Sequence, residues 1–183
     1  MKINLLIAIF LLPFIVSAQK LLKPDVDKIS GDTTWSTSEE KLYFHGNFLT
    51  AQGEDVTFQV VKFSNAKGLV LVLTPQSLNM GEDLSIVKNQ KAYLKLSDKT
   101  VITLASGTDD GGNSKYTFIE HTPAQSSHAT AYYDLPDAAI EKLKTLTLVF
   151  LRIETNEGNF DCDIKPKNAA KLVKAIALIE KAK

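Results

Sequence analysis

The stretch Thr147-Leu148-Val149-Phe150-Leu151-Arg152-Ile153-Glu154, the link Thr155-Asn156-Glu157-Gly158 and the return Asn159-Phe160-Asp161-Cys162-Asp163-Ile164 decide the fold class. The return alternates strictly. Phe160, Cys162 and Ile164 fall on one face and Asp161 and Asp163 on the other, as a half-buried strand requires. The link has hairpin chemistry, with Gly158 free to take a positive φ. Directly afterwards the period changes to that of a helix. Asn168 reads as an N-cap, and Ala169, Leu172, Val173, Ile176 and Ile179 make one apolar stripe that predicts a helix over 168–182.

Working back toward the N-terminus, the period of two persists. Strands are predicted over 41–45 and from Val56 through Phe58 and Val60, where the apolar positions Val61 and Phe63 imply a register change and a bulge. Residues 69–73 are apolar on both faces, as in a strand covered on each side. A short strand is expected at 84–87, a hairpin from 92–96 and 100–104 around Ser97-Asp98-Lys99, and further strands at 116–120 and 129–133. A second helix is expected at 136–144, with Pro136 at its first position and Asp137 in its first turn. Helices and strands do not alternate over any length, which argues against a doubly wound parallel sheet. The expectation is a mainly β (α+β) chain. It is an antiparallel β roll or sandwich with a short inserted helix near 136–144 and an amphipathic C-terminal helix at 168–182. Residues 19–33, polar and containing Pro24 and Gly31, read as a linker or an arm on a single domain spanning 34–183.

The first eighteen residues carry a different signal. Lys2 precedes an almost wholly apolar run over 3–16, and Val16-Ser17-Ala18 offers small residues before Gln19, as at the end of a signal peptide. The run is shorter than the roughly 20 residues of a spanning helix. Export with cleavage near Ala18 is therefore expected, to the periplasm, the cell surface or the medium. Removing residues 1–18 would leave 165 residues (183 minus 18) and, with Lys2 gone, a charge of 20 against 21. That balance provides no basic footprint for nucleic acid, and no membrane span is expected in the mature chain. The single cysteine, Cys162, excludes an internal disulfide framework and thiolate-rich metal sites.

Lys28-Ile29-Ser30-Gly31-Asp32-Thr33-Thr34-Trp35-Ser36-Thr37, the signal ending Ser17-Ala18-Gln19, the lysine-dominated bases, Leu94-Lys95-Leu96-Ser97-Asp98 and the closing strands together resemble a recurrent type of small exported protein from Bacteroidota. The resemblance implies a source and a compartment and carries no catalytic residue. The element order also resembles a pleckstrin-homology-like roll, from which the helix near Ile140 departs.

Catalytic motifs are thin: there is no Gly-x-Ser-x-Gly elbow, His-Glu-x-x-His helix, phosphate-binding loop or Gly-x-Gly-x-x-Gly. Glu154 with Asp161 or Asp163 across the last hairpin would supply the carboxylate pair of a hydrolase. His121 and His128 flank a loop and could share a metal ion with a carboxylate such as Glu120. Asp109 and Asp110 in a glycine-rich loop offer oxygen ligands for calcium. Arg152, the only arginine, suggests a position that needs a planar guanidinium, either in an ion pair or on a ligand. Trp35 either pins the first strand to the core or presents an aromatic face to a ligand. The expectation is a non-catalytic exported domain that binds a protein partner or small molecule and has no cofactor. A secreted hydrolase and a weak metal binder are the alternatives.

Overall fold

The computed structural model describes residues 19–47, 52–77, 84–107, 117–122 and 126–183. Eleven strands and two helices follow one another among them. Strands β1 (Asp25–Val26), β2 (Thr33–Ser36), β3 (Glu40–Asn47), β4 (Gln52–Phe63), β5 (Leu69–Ser77), β8 (Thr117–Thr122) and β9 (Ser126–Leu135) form one antiparallel sheet in the order β1-β2-β4-β5-β9-β8, with β3 also on β4. Strands β6 (Lys91–Leu96), β7 (Val101–Ala105), β10 (Leu148–Thr155) and β11 (Gly158–Asp163) form a second sheet in the order β11-β10-β6-β7. Helix α1 (Asp137–Thr145) joins β9 to β10, and α2 (Pro166–Glu180) closes the chain. The protein is thus a two-sheet, mainly β fold with a C-terminal helix.

The core lies between the sheets, because each strand's alternation sends one set of apolar side chains inward. Phe58, Leu71, Leu73 and Tyr133 come from the large sheet and Leu94, Leu151, Ile153 and Cys162 from the small one, all essentially inaccessible. Burial pushes the Cys162 thiol well above its ordinary value, so the thiolate that reactivity needs is suppressed. Leu172, Ala175, Ile176 and Ile179 lay α2 against the same core. Near one end of the sheets the two are stitched together, where the Gly107 N–H donates to the Tyr132 carbonyl at 2.6 Å.

Strand β4 organises the large sheet. One edge pairs with β5 in unbroken register from Glu54 to Val61, so the bulge expected at Val60–Val61 is not there. The other edge changes partner: β3 pairs with residues 52–58 and β2 with residues 61–63. The apolar pattern shifts at Val61 because the surroundings of the strand change, not its register. Buried Thr37 fills the gap between the two partners. Its N–H donates to the Val60 carbonyl at 3.0 Å, and its Oγ1 accepts the Val60 N–H at 3.1 Å.

The register irregularity on this edge belongs to β3, where Lys41 faces Thr57 and Tyr43 faces Val56, leaving Leu42 as the extra residue. Leu42 is buried, and its carbonyl accepts a hydrogen bond from Asn168 Nδ2 at 2.9 Å. Asn168 therefore does not cap α2. Lys165 holds the N-cap position, Pro166 begins the helix, and no side chain caps the end. Pro166 pre-sets the first helical φ and brings no N–H needing a partner, which leaves Asn168 free to hold β3. At the other end of the helix, Lys62 Nζ donates to the Ala182 carbonyl at 2.9 Å. Lys62 thus places its charge at the negative end of the helix dipole, supplying from β4 what the last helical turn lacks.

Further details beside the sequence reading are local. Residues 84–87 are not a strand, although Leu84 and Ile86 are buried. They dock on the last hairpin, with the Ser85 N–H donating to Asn156 Oδ1 and the Asn156 N–H to the Ser85 carbonyl. Residues 19–33, read from sequence as a linker or an arm on the domain, run along the sheet edge, the Leu22 N–H donating to the Ser36 carbonyl and Leu21 bridging to Thr37. The strand at 41–45 is accordingly the third and not the first.

Replacing Asn168 by Ala leaves the buried Leu42 carbonyl without a donor and is expected to cost about 1–2 kcal/mol. Asn168→Asp is expected to be at least as damaging, because an ionised carboxylate cannot donate, whereas at an N-cap Asp would be tolerated. Urea unfolding of both variants measures this, and an Asp variant as stable as the parent would contradict the donor role.

Candidate functional site

Two outward-facing surfaces carry the chemically capable residues. On the outer face of the small sheet, pairing across β11, β10, β6 and β7 builds three rungs. The first runs Asp163, Phe150, Lys95, Val101; the second Asp161, Arg152, Tyr93, Thr103; the third begins Asn159, Glu154. A register shift between Leu148 and Phe150 puts Val149 beside Phe150 on this same face, with Val149 and Val101 exposed. Together they border a shallow depression of about 680 Å³.

Arg152 lies in the middle of this face. Its Nε and Nη2 donate to Asp161 Oδ1 and Oδ2, each at 2.6 Å, so the guanidinium fork is engaged side-on in a bidentate pair. The guanidinium also lies 6.0 Å from the centre of the Phe150 ring. One rung on, Glu154 Oε1 accepts the Tyr93 hydroxyl at 2.7 Å and Oε2 accepts the Lys91 N–H at 2.9 Å. The hydrogen bonds from Arg152 hold the Asp161 carboxyl below its ordinary range. Those from Tyr93 and from the Lys91 backbone do the same for Glu154. Both groups are anions at neutral pH, and neither is raised to hold a proton as a general acid must.

The residues singled out from sequence are distributed as follows. Arg152, Glu154, Asp161 and Asp163 share the small-sheet face, but Glu154 faces Asn159, one rung from Asp161 and two from Asp163. Trp35 is elsewhere, on β2 opposite Lys62, half-buried against the core with the Lys62 ammonium 5.4 Å from its ring. Lys62 in turn reaches the end of α2. The register of β8 and β9 sets Glu120 opposite His128 and Ser127 opposite His121, so the two histidines do not share a rung. Among the described residues no group of three or more His, Cys, Asp and Glu could hold a metal ion. Asp109 and Asp110 lie outside the described residues.

His128 instead lines the second surface, a groove of about 370 Å³ on the outer face of the large sheet. Its floor is a rung of threonines: Thr57 pairs with Thr74, and Thr74 Oγ1 lies 3.1 Å from Thr130 Oγ1. Gln59, Val72 and Tyr132 form the rung on one side, and Asp55, Gln76 and His128 the rung on the other. Sequence reasoning missed both Tyr93 with its exposed apolar neighbours and this threonine rung. Period-two alternation identified their strands, but only cross-strand register brings the residues together.

Compared with known proteins, the chain matches no protein family, no curated sequence and no solved structure. Among the described residues no helix is long and apolar enough to cross a membrane.

Both depressed carboxyls contribute stability that is present above the ordinary carboxylate range. It is lost as pH falls through their folded-state values, which lie below the ordinary range for both Asp161 and Glu154. Thermal melts from about pH 7 to about pH 3 are expected to show an acid-side loss that Asp161→Asn and Glu154→Gln each reduce. An unchanged acid slope in both variants would show that neither pair is linked to folding.

Proposed function

We propose that the chain is an exported, non-catalytic binding domain that recognises a partner through the outer face of its small sheet. The observation that carries this is the fixed arrangement on that face. Two hydrogen-bonded pairs, Arg152–Asp161 and Tyr93–Glu154, stand among exposed Val101, exposed Val149 and half-buried Phe150. Exposed apolar side chains rimmed by polar ones mark interaction surfaces. Tyr, Phe and Arg are the residue types enriched at their centres. Because neighbours already hold the long side chains, less conformational entropy remains to be lost on binding. The paired, fully ionised carboxyls favour recognition over proton transfer. Export rests on the apolar run and small-residue ending of the first eighteen residues.

The test is photo-crosslinking in the cells of origin, with the reactive side chain placed at Val101 or Val149 and, as a control, at exposed Ile29 on the N-terminal hairpin. A discrete adduct is expected from the small-sheet positions, lost in Phe150→Ala and absent from the control. N-terminal sequencing of the exported protein is expected to begin at Gln19. The proposal fails if the small-sheet positions give no adduct. It fails equally if ester or glycoside substrates are turned over in a manner that Glu154→Gln and Asp161→Asn abolish, which would make the protein a hydrolase.

A further inference from the structure

We infer that the groove on the large sheet is a second binding site, for an uncharged saccharide. The inference does not depend on the partner surface, which lies on the other sheet. It starts from the chemistry of the wall. The polar side chains of the threonine rung and its neighbours, Thr57, Thr74, Thr130, Gln59 and Gln76, are neutral. Hydroxyls and carboxamides both donate and accept, as the hydroxyls of a sugar do. Adjacent strands are about 4.8 Å apart, so the three threonines present hydroxyl-bearing side chains at regular intervals across the groove. Val72 and Tyr132 in the next rung supply apolar surface for the C–H face of a sugar ring.

Charge narrows the class. Among the described residues lining the groove there is no Lys or Arg, and Glu39 stands exposed at its edge. Lys41, which faces Thr57 from β3, is already paired with Asp55 at 2.7 Å, so among the described residues of the lining a phosphate or carboxylate ligand would meet the Glu39 carboxylate and no Lys or Arg. The volume of about 370 Å³ lies within the range of small-ligand pockets, roughly 300–1,000 Å³.

Thr57 adds an independent observation. Its Oγ1 is shielded from water and has no hydrogen-bond partner among the described residues. Native proteins rarely leave such a group unpaired. A rotation about χ1 to another staggered well would carry the hydroxyl into the groove, where a ligand hydroxyl would satisfy it. The free protein thus holds one polar group in an arrangement that a hydroxylated ligand improves.

The test is NMR titration of the purified protein with glucose, galactose, mannose, N-acetylglucosamine and their disaccharides, alongside glucuronate and glucosamine 6-phosphate as charged counterparts. At least one neutral sugar is expected to bind at millimolar or better affinity and to shift resonances of β4, β5 and β9. The double variant Thr74→Val/Thr130→Val removes both members of one hydrogen-bonded pair while keeping their shape, so its melting temperature should stay close to that of the parent. Its affinity should fall about tenfold or more. Thr57→Val should raise the melting temperature, by removing an unpaired hydroxyl, and weaken binding as well. The inference is overturned if no neutral sugar binds up to about 50 mM, if a charged sugar binds more tightly, if the shifts fall on the small sheet, or if the valine variants bind like the parent.

Discussion

The structure depends on how β4 is shared. A strand of twelve residues carries one continuous partner, β5, and two successive partners on its opposite edge. Where those two meet, a backbone donor and acceptor at Val60 would be left unpaired inside the protein, a cost of the order of a kcal/mol or more for each. Thr37 removes that cost by offering its N–H and hydroxyl together. A β-branched residue with a hydroxyl is one of few side chains able to sit in extended backbone and accept a ladder hydrogen bond. With this junction in place the N-terminal hairpin and β3 can both belong to one sheet.

The same edge explains the position of α2. The bulge at Leu42 turns a large apolar side chain inward and frees a carbonyl. Asn168 binds that carbonyl, Lys171 pairs with nearly buried Glu40 at 2.9 Å, and Lys62 meets the helix at its far end. Apolar burial supplies most of the attraction between helix and sheet, but it is non-directional. The three polar contacts are directional and fix where along the sheet the helix sits.

The sequence was informative wherever a property is local. Strict alternation located the last hairpin, and the 3.6-residue stripe located α2. The errors have a common origin in contacts between residues far apart in the chain. Asn168 has the composition of an N-cap, but Pro166 made a cap unnecessary and a bulge 126 residues away in sequence used the amide instead. Val61 implied a bulge because a change of partner strand mimics a change of register. Residues 84–87 have the apolar content of a strand, but their hydrogen bonds link Ser85 with the turn residue Asn156 and Val87 with Gln90 and Ser106, and form no ladder. An ion pair at Arg152 was legible because a hairpin makes its acidic neighbours near in sequence, but the choice of Asp161 over Asp163 came only with the register. Tyr93 and Glu154, 61 residues apart, were not legible as a pair.

The two outer faces show why function was harder to read than fold. An inward-facing position is constrained to be apolar, and a period-two pattern records that constraint directly. An outward-facing position is constrained only by what it meets, so Thr57, Thr74 and Thr130 look like ordinary solvent-side threonines in three separate strands. Their meaning comes from register, which aligns them into one rung that lines a groove. The small sheet uses the same pleat differently. There one rung pairs opposite charges, Arg152 with Asp161, the Tyr93 phenol reaches across to the Glu154 carboxylate of the next rung, and the neighbouring bulge at Val149 brings apolar surface out beside them. One sheet therefore presents neutral hydrogen-bonding groups in a concavity, and the other presents fixed charge and exposed hydrocarbon on a shallow face. These are different chemistries of recognition, and the buried strands that support both are alike.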